Sequence, residues 1–235
     1  MNPLEGGGRY TRLLYKTKIY KSINDIFNDI KMSFIIIDRN NTTYDLSKPF
    51  KLQYKKIINM TIYPNKYIYI NYISIDPDNN ASGTIILNKI KEFGKLNNFH
   101  YIELFDGSTK QYKICTTNFI LYSIISLFLY GKTWYQSLGF EYKSNIIKKE
   151  NYYELNKNRM LNEFISDSDI ETYKNALPDI ITSNIITILN IIKNLERLYL
   201  RTDNIMTYNQ CNLLEELLEE LTEKILPNED MYYYF

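Results

Sequence analysis

The chain has 235 residues, which suits one large domain or one domain with an appendage. Its 28 Lys and Arg residues against 27 Asp and Glu give a net charge of +1, so no overall field attracts nucleic acid or anionic lipid, and neither is expected as a partner. One histidine, His100, and two cysteines, Cys115 and Cys211, are too few for the usual Cys/His zinc cluster, and no metal site is expected. This cysteine usage predicts no disulfide framework and a reducing compartment.

The sequence contains no pattern of a signal peptide or a membrane anchor. Residues 1–8 are polar and rich in glycine, so they predict a flexible lead-in and no secretory signal. The most apolar run, residues 119–130, is interrupted by Ser123 and Ser126 and is shorter than the roughly 20 residues of a spanning helix. We therefore expect an intracellular protein without a transmembrane segment.

The first part of the chain predicts a helix followed by strands. Apolar residues at helical spacing predict a helix over about residues 19–31, with Ser22 as its N-cap. Four strands are predicted next, over residues 34–37, 51–54, 57–63 and 66–75. In the last of them the isoleucines break the strict alternation once, which predicts a bulge near Asn71.

A strand–helix–strand unit follows. Gly83 opens a helix in which Ile86, Ile90 and Phe93 recur at helical spacing, and Tyr101–Phe105 is the next strand. Two strands joined by a helix within about 40 residues imply a parallel pair with a right-handed crossover. The predicted fold class is therefore α+β: a mixed, mostly antiparallel sheet with one parallel, splayed strand pair and flanking helices.

The last third of the chain predicts a closing hairpin and then helices alone. The hairpin is expected over residues 140–143 and 151–155. Ser168 and Glu171 match a capping box, Pro178 is the expected start of a second helix, and a third is expected over about residues 209–226. This organisation predicts a domain over residues 9–158 and a helical appendage over residues 159–235.

The third of these helices carries an apolar stripe from Leu213 to Ile225, opposite a row of glutamates. Such a stripe needs a surface to pack against. That surface is either the rest of the same chain or another chain, in a homo-oligomer or with a protein partner. The sequence leaves both alternatives open.

Two motifs carry a resemblance to a known family. A strand containing Glu103 ends in Asp106-Gly107-Ser108, and a later turn begins at Trp134-Tyr135 and ends in Leu138-Gly139-Phe140. Over about residues 55–155 the chain resembles a GCN5-related N-acetyltransferase domain, and the motifs are most similar to those of divergent acetyltransferase-like proteins of giant DNA viruses. The absence of valine is typical of an AT-rich genome. A viral origin would place the protein in the host cytoplasm or the virion.

The resemblance implies acetyl-CoA as the cofactor. Its pyrophosphate would be held by backbone amides at a helix N-terminus, supplied here by Ala81, Ser82, Gly83 and Thr84. The family pattern is Gln or Arg, two residues, Gly, one residue, and Gly or Ala. Gly83 matches its last position, but Ala81 replaces the first glycine and Asp78 stands where Gln or Arg belongs, so a carboxylate would repel the pyrophosphate unless it points away.

The resemblance also assigns roles to single residues. Tyr135 matches the family tyrosine that returns a proton to the departing thiolate, and Glu103 is the candidate base that accepts the amine proton. Asp106, Ser108 and Trp134 are the candidate substrate contacts. The alternative for Tyr135 and Trp134 is ordinary aromatic packing, and for Asp106 and Ser108 it is formation of a turn.

Two functions remain open after this reasoning. The first is an N-acetyltransferase that transfers acetyl from acetyl-CoA to an unidentified amine. The second is a non-catalytic descendant of the same fold that serves as a viral structural or host-interaction module. The altered glycine pattern favours the second, whereas the Trp-Tyr turn and Glu103 favour the first.

Overall fold

The computed structural model describes residues 5–37, 49–55, 57–64, 66–74, 82–111, 115, 119–143, 151–200 and 205–235. The chain forms two compact units: Met1–Phe105 with Met231–Phe235, and Asp106–Asp230. The predicted boundary near residue 158 therefore differs from the division that the structure shows. The helices beyond that point belong to the same unit as the segment that begins at Asp106, and the chain returns to the first unit for its last strand.

The first unit is built on a mixed sheet with the strand order β1-β2-β3-β4-β5-β9. Neighbours from β1 to β4 are antiparallel, whereas β4 and β5 are parallel, with Tyr67 opposite Tyr101 and Tyr69 opposite Glu103. The predicted α+β class and its single parallel pair are thus confirmed. The strands are β1 (Ile35–Ile37), β2 (Phe50–Tyr54), β3 (Ile58–Tyr63), β4 (Tyr67–Ile73), β5 (Tyr101–Phe105) and β9 (Asp230–Tyr234).

The predicted bulge in β4 is present at Asn71. Met60 pairs with Ile70 and Asn59 pairs with Tyr72, so Asn71 has no opposite residue in β3. Its side-chain amide instead donates to Asn59 Oδ1 over 2.7 Å and to Thr61 Oγ1 over 3.0 Å. The extra residue lets β4 bury Ile68 and Ile70 on one face of the sheet although the apolar alternation is interrupted after them.

Two helices pack in the first unit, α1 (Glu5–Phe27) and α2 (Gly83–Leu96). α2 begins where the sequence predicted, and Ser82 caps it by accepting the Ile85 N–H over 3.3 Å. α1 begins far earlier than predicted and includes part of the glycine-rich lead-in. Ser22 is therefore not a cap: it lies within α1, where its hydroxyl accepts from the Asn97 side chain over 2.8 Å at the end of α2.

The terminal strand β9 was not predicted, and it is fixed to α2 by its side chains. A Cβ on Gly94 would lie 2.1 Å from the Phe235 ring, so only glycine leaves room for this aromatic residue. The Lys91 ammonium lies 4.1 Å from the centre of the Tyr233 ring. The Phe235 N–H donates to the His100 carbonyl over 3.3 Å, which gives this histidine a backbone role.

The second unit is mainly helical and is organised around α3. The residues of α3 from Ser123 to Phe128 are buried, and the helix contacts four other helices and the hairpin of β6 and β7. Its elements are β6 (Thr109–Gln111), β7 (Phe119–Leu121), α3 (Tyr122–Tyr130), α4 (Trp134–Ser137), β8 (Glu141–Tyr142), α5 (Tyr152–Asn156), α6 (Asp167–Ala176), α7 (Ile188–Leu200) and α8 (Tyr208–Ile225). No helix among the described residues is long and apolar enough to cross a membrane.

Three predicted boundaries in this unit are wrong, each because a local cap decided the structure. The second half of the expected hairpin is α5, whose first turn is capped by the Asn151 side chain accepting the Glu154 N–H over 3.2 Å. Ser166, two residues before the predicted position, caps α6. The next helix begins at Ile188 and not at Pro178, following Thr187, whose hydroxyl accepts the Asn190 N–H over 3.3 Å.

The apolar stripe of α8 packs within its own unit. Leu214, Leu217, Leu218, Leu221 and Ile225 are buried, and Leu213 is half-buried. α8 contacts α3, α6 and β7. Of the two alternatives for this stripe, the structure shows packing against the same chain, so the stripe does not require a homo-oligomer.

The two cysteines form a disulfide, contrary to the expectation from their number. Cys115 and Cys211 are buried, their Cα atoms are 5.7 Å apart, and 96 residues separate them in sequence. The bond joins the segment between β6 and β7 to the first turn of α8. The two cysteines lie close together because of how α8 packs, although they are far apart in sequence. The number of cysteines alone does not predict this contact.

Replacing both cysteines with alanine should lower the free energy of unfolding of the second unit by about 4–5 kcal/mol, because a crosslink closing so long a loop restricts the unfolded chain. Urea unfolding followed by the fluorescence of Trp134, the only tryptophan and a residue of this unit, measures the loss. A reductant should destabilise the parent and leave the double variant unchanged. Two titratable thiols in the unreduced, denatured parent would contradict the bond.

Candidate functional site

The second unit brings the Asp106-Gly107-Ser108 turn and the turn that carries Tyr135 together around the carboxylate of Asp106. Asp106 is only 7% exposed. It accepts hydrogen bonds from the Ser108 hydroxyl over 2.9 Å and from the Tyr142 hydroxyl over 3.1 Å, and the Thr133 side chain is also bonded to it. A carboxylate that follows β5 is thereby held by donors from the turn around α4 and from β8.

The turn that carries Tyr135 is fixed by a capping box. The Gln136 N–H donates to the Thr133 hydroxyl over 3.4 Å, and the Gln136 side chain accepts the Thr133 N–H over 2.9 Å. This arrangement sets the short helix α4, in which Trp134 and Tyr135 pack with their ring centres 4.8 Å apart. Tyr135 is 8% exposed and also contacts Phe140 edge to face, so its ring is part of the core of this unit.

Burial controls the protonation of this cluster. It raises the pKa of the Asp106 carboxyl above its ordinary value, although the hydrogen bonds from Ser108, Thr133 and Tyr142 act in the opposite direction. Burial raises the pKa of Tyr135 as well, and the nearby charge of Asp106 adds to that effect. The pKa of Tyr142 is raised by the same two causes. Both phenols therefore remain protonated at neutral pH, which is the state that a proton donor requires, although each is a weaker acid than free tyrosine.

Glu103 lies in the first unit, on a face of the sheet covered by tyrosines. The Tyr232 hydroxyl donates to Glu103 Oε1 over 3.0 Å. Tyr63, Tyr67 and Tyr101 stack across three strands, with ring centres 4.2 and 4.8 Å apart and nearly parallel planes. We call these five residues together with Tyr69 and Tyr234 the tyrosine face. It is opposite the face of Ile68, Ile70, Ile102 and Leu104, which is buried.

The charge of Glu103 acts on its aromatic neighbours. Burial raises the pKa of Tyr101, and the nearby charge of Glu103 raises it further. The pKa of Tyr67 is raised first by burial, then by a hydrogen bond and charge interaction with Tyr63, and also by Glu103. Tyr67 and Tyr101 therefore stay protonated at neutral pH, and the negative charge of Glu103 acts on both of them.

The predicted cofactor residues lie at the start of α2. Ser82 is the N-cap, and Gly83 and Thr84 are the first two residues of a helix of 14 residues. No acidic residue occupies the first turn. Ala81 and Asp78 lie outside the described residues, so the part of the motif that departs most from the family pattern remains a prediction.

The structure thus groups the predicted site residues by unit. Asp106, Ser108, Trp134 and Tyr135 share the second unit, and Glu103 shares the first with Ser82, Gly83 and Thr84. Sequence reasoning missed three residues that hold these sites: Thr133, Tyr142 and Tyr232. Thr133 and Gln136 match a capping-box pattern, and the terminal run from Asp230 to Phe235 has strand propensity, so both signals were present in the sequence.

Comparisons with known proteins identified no relative of this chain. No protein-family model, no curated protein and no solved structure matches the chain. Within the described residues there is also no group of three side chains suited to hold a metal ion. The resemblance to acetyltransferases therefore depends on the motifs themselves.

Replacing Asp106 with Asn should remove a pH dependence from the stability of the second unit. A carboxyl whose pKa is raised by folding binds its proton more tightly in the folded state. Stability is therefore highest below the unfolded-state pKa, about 4, and falls as pH rises through the folded-state pKa. Urea unfolding monitored by Trp134 fluorescence between pH 4 and 8 should show this fall in the parent and lose it in the variant.

The matched control is Asp167→Asn, which removes an exposed carboxylate at the start of α6. This control should keep the pH dependence of the parent. The same pH dependence in the parent and in Asp106→Asn would mean that the buried carboxyl does not titrate in this range.

Proposed function

We propose that the chain binds acetyl-CoA at the amino end of α2 and transfers its acetyl group to an amine. The observation that carries the proposal is the parallel pairing of β4 and β5 with α2 as the crossover, combined with the bulge at Asn71. The acetyltransferase resemblance implies this arrangement of sheet and helix. The sequence of residues 66–105 alone predicts the same strand–helix–strand arrangement.

The start of α2 suits a pyrophosphate. Helix N-termini present backbone N–H groups and a positive dipole end, and α2 is long enough for this dipole to develop. The Ser82 hydroxyl accepts the Ile85 N–H. The backbone N–H groups of Gly83 and Thr84 precede Ile85 and are not used by this cap. An acidic side chain in the first turn would oppose an anion, and none is present there.

The chemistry requires proton transfers besides coenzyme binding. Bound acetyl-CoA would supply a thioester that an unprotonated amine attacks. Glu103 is the proposed acceptor of the amine proton, since it is a half-buried carboxylate in the same unit as α2 and is oriented by the Tyr232 hydroxyl. Its hydrogen bond to a neutral phenol holds the carboxylate in place without neutralising its charge.

A second candidate function is a non-catalytic binding module. It is favoured by Tyr135, which the family resemblance assigns as the proton donor but which is buried and packed between Trp134 and Phe140. Asp106, a predicted substrate contact, likewise has its hydrogen bonds within the second unit. A descendant that has lost its activity would retain both residues for packing.

Gly83→Pro tests the coenzyme site. Proline removes the backbone N–H of Gly83 but is favoured at the first position of a helix, and Ser82 has the extended conformation (φ −67°, ψ 154°) that a residue before proline adopts. Calorimetric titration should show binding of acetyl-CoA to the parent, weakened about tenfold or more in the variant, which is typical for loss of a hydrogen bond to a charged group.

Gly83→Ala is the control, because it keeps the N–H at the same position and should bind acetyl-CoA like the parent. Circular dichroism should show the same helix content in all three proteins. Absence of acetyl-CoA binding in the parent would contradict the proposal and leave the non-catalytic module as the function. Equal binding by Gly83→Pro and the parent would place the coenzyme elsewhere.

A further inference from the structure

The disulfide of the second unit is attached to a small, separate sheet. Among the described residues, β6 and β7 form a two-stranded hairpin of three residue pairs, with Thr109 opposite Leu121 where the chain enters and leaves it. Cys115 is the midpoint of this hairpin in sequence, and its bond to Cys211 joins the hairpin to the first turn of α8. A sheet of this size is marginally stable by itself. The position of the hairpin therefore depends on the bond to α8 and on packing against α3 and α8.

The hairpin is also connected to the Asp106 carboxylate. Ser108 immediately precedes β6, and its hydroxyl and its N–H both donate to Asp106 Oδ1, over 2.9 and 3.4 Å. The Ser108 carbonyl accepts the N–H of Tyr122, the residue that follows β7, over 2.8 Å. A displacement of the two strands therefore moves Ser108 and removes two hydrogen bonds from the carboxylate. The other donors to this carboxylate, Thr133 and Tyr142, belong to the turn at α4 and to β8.

The cysteine pair has two well-defined redox states. The chain has no third cysteine, so reduction gives a dithiol and cannot give a rearranged disulfide within the chain. Both cysteines are buried, so a reductant reaches them when local structure opens. Opening a three-pair hairpin costs less free energy than opening the helical core around α3. The hairpin is therefore the element whose position depends most directly on the bond.

We propose that the Cys115–Cys211 disulfide is a redox switch that controls the exposure of the Asp106 carboxylate. In the oxidised state the hairpin is held against α8, and Ser108 covers the carboxylate. In the reduced state β6 and β7 move away from α8, Ser108 leaves Asp106, and the helices of the second unit stay folded.

The reductant in this proposal is a dithiol. One of its thiolates attacks a sulfur of the pair, which breaks the Cys115–Cys211 bond, releases one cysteine and forms a mixed disulfide with the other. The second thiol of the reductant then displaces that cysteine and closes a disulfide within the reductant. Two electrons and two protons thus pass from the dithiol to the protein, which ends with two cysteine thiols.

Carboxylate labelling of the full chain tests the proposal, with dithiothreitol as the dithiol. A carbodiimide with glycine ethyl ester modifies carboxylates that the reagent can reach, and mass spectrometry locates the product. Asp106 should be labelled at least about tenfold faster after reduction, because local opening then exposes it. Asp167 is exposed at the start of α6 and is the matched control, so its labelling should be the same in both states.

Amide hydrogen exchange and circular dichroism of the same samples separate a switch from a general loss of stability. The reduced protein should keep its helical signal, and the N–H groups of Ser108 and Tyr122 should exchange faster than those of α6 and α7. Unchanged labelling of Asp106 after reduction would overturn the proposal. Loss of the helical signal, or equal exchange throughout the unit, would also overturn it, because the disulfide would then only stabilise the unit as a whole.

A variant in which both cysteines are alanine controls for the reductant itself. It should label Asp106 at the rate of the reduced parent, with or without dithiothreitol. Labelling of Asp106 that still responds to dithiothreitol in this variant would show that the reductant acts elsewhere, which would also overturn the proposal.

Discussion

The parallel pairing of β4 with β5 is the constraint on which the first unit depends. Two parallel neighbours cannot be joined by a tight turn, so the chain must cross over the sheet, and α2 is that crossover. The pairing sets Glu103 opposite Tyr69. It also leaves the far side of β5 for β9, whose Tyr232 orients the carboxylate. This strand pair therefore positions the elements that are proposed to bind the coenzyme and to accept the amine proton.

The two faces of this sheet use different physical chemistry. One face is aliphatic, and its isoleucines and leucines are buried. The other face consists of tyrosines and amides, which stack or hydrogen-bond across strands, as Asn71 does with Asn59 and Thr61. Aromatic and polar cross-strand pairs each stabilise a sheet modestly. A chain without valine thus builds a stable sheet while keeping one face polar.

The sequence patterns correctly predicted those elements that depend on interactions between residues close together in the sequence. The start of α2, the strand at β5 and the bulge at Asn71 all follow from spacing within a few residues, and they are confirmed. The features that the sequence did not predict correctly have two physical causes. Side-chain caps at Asn151, Ser166 and Thr187 set helix starts against the apolar pattern. Contacts between distant segments, such as Cys115 with Cys211 and Tyr232 with Glu103, depend on packing that periodicity does not encode. For the same reason the sequence proposed Glu103 and Asp106 but not the tyrosines that hold them.

We propose that the β4–β5 strand pair and the first turn of α2 form a coenzyme site. Amide hydrogen exchange measured by mass spectrometry, with and without acetyl-CoA, tests this most directly, because it reports where a ligand protects the backbone. We expect slower exchange at Gly83, Thr84 and Ile85, and along β4 next to the Asn71 bulge, with exchange in β6 and β7 unchanged. Unchanged exchange in the first turn of α2 at a saturating concentration of acetyl-CoA would contradict it.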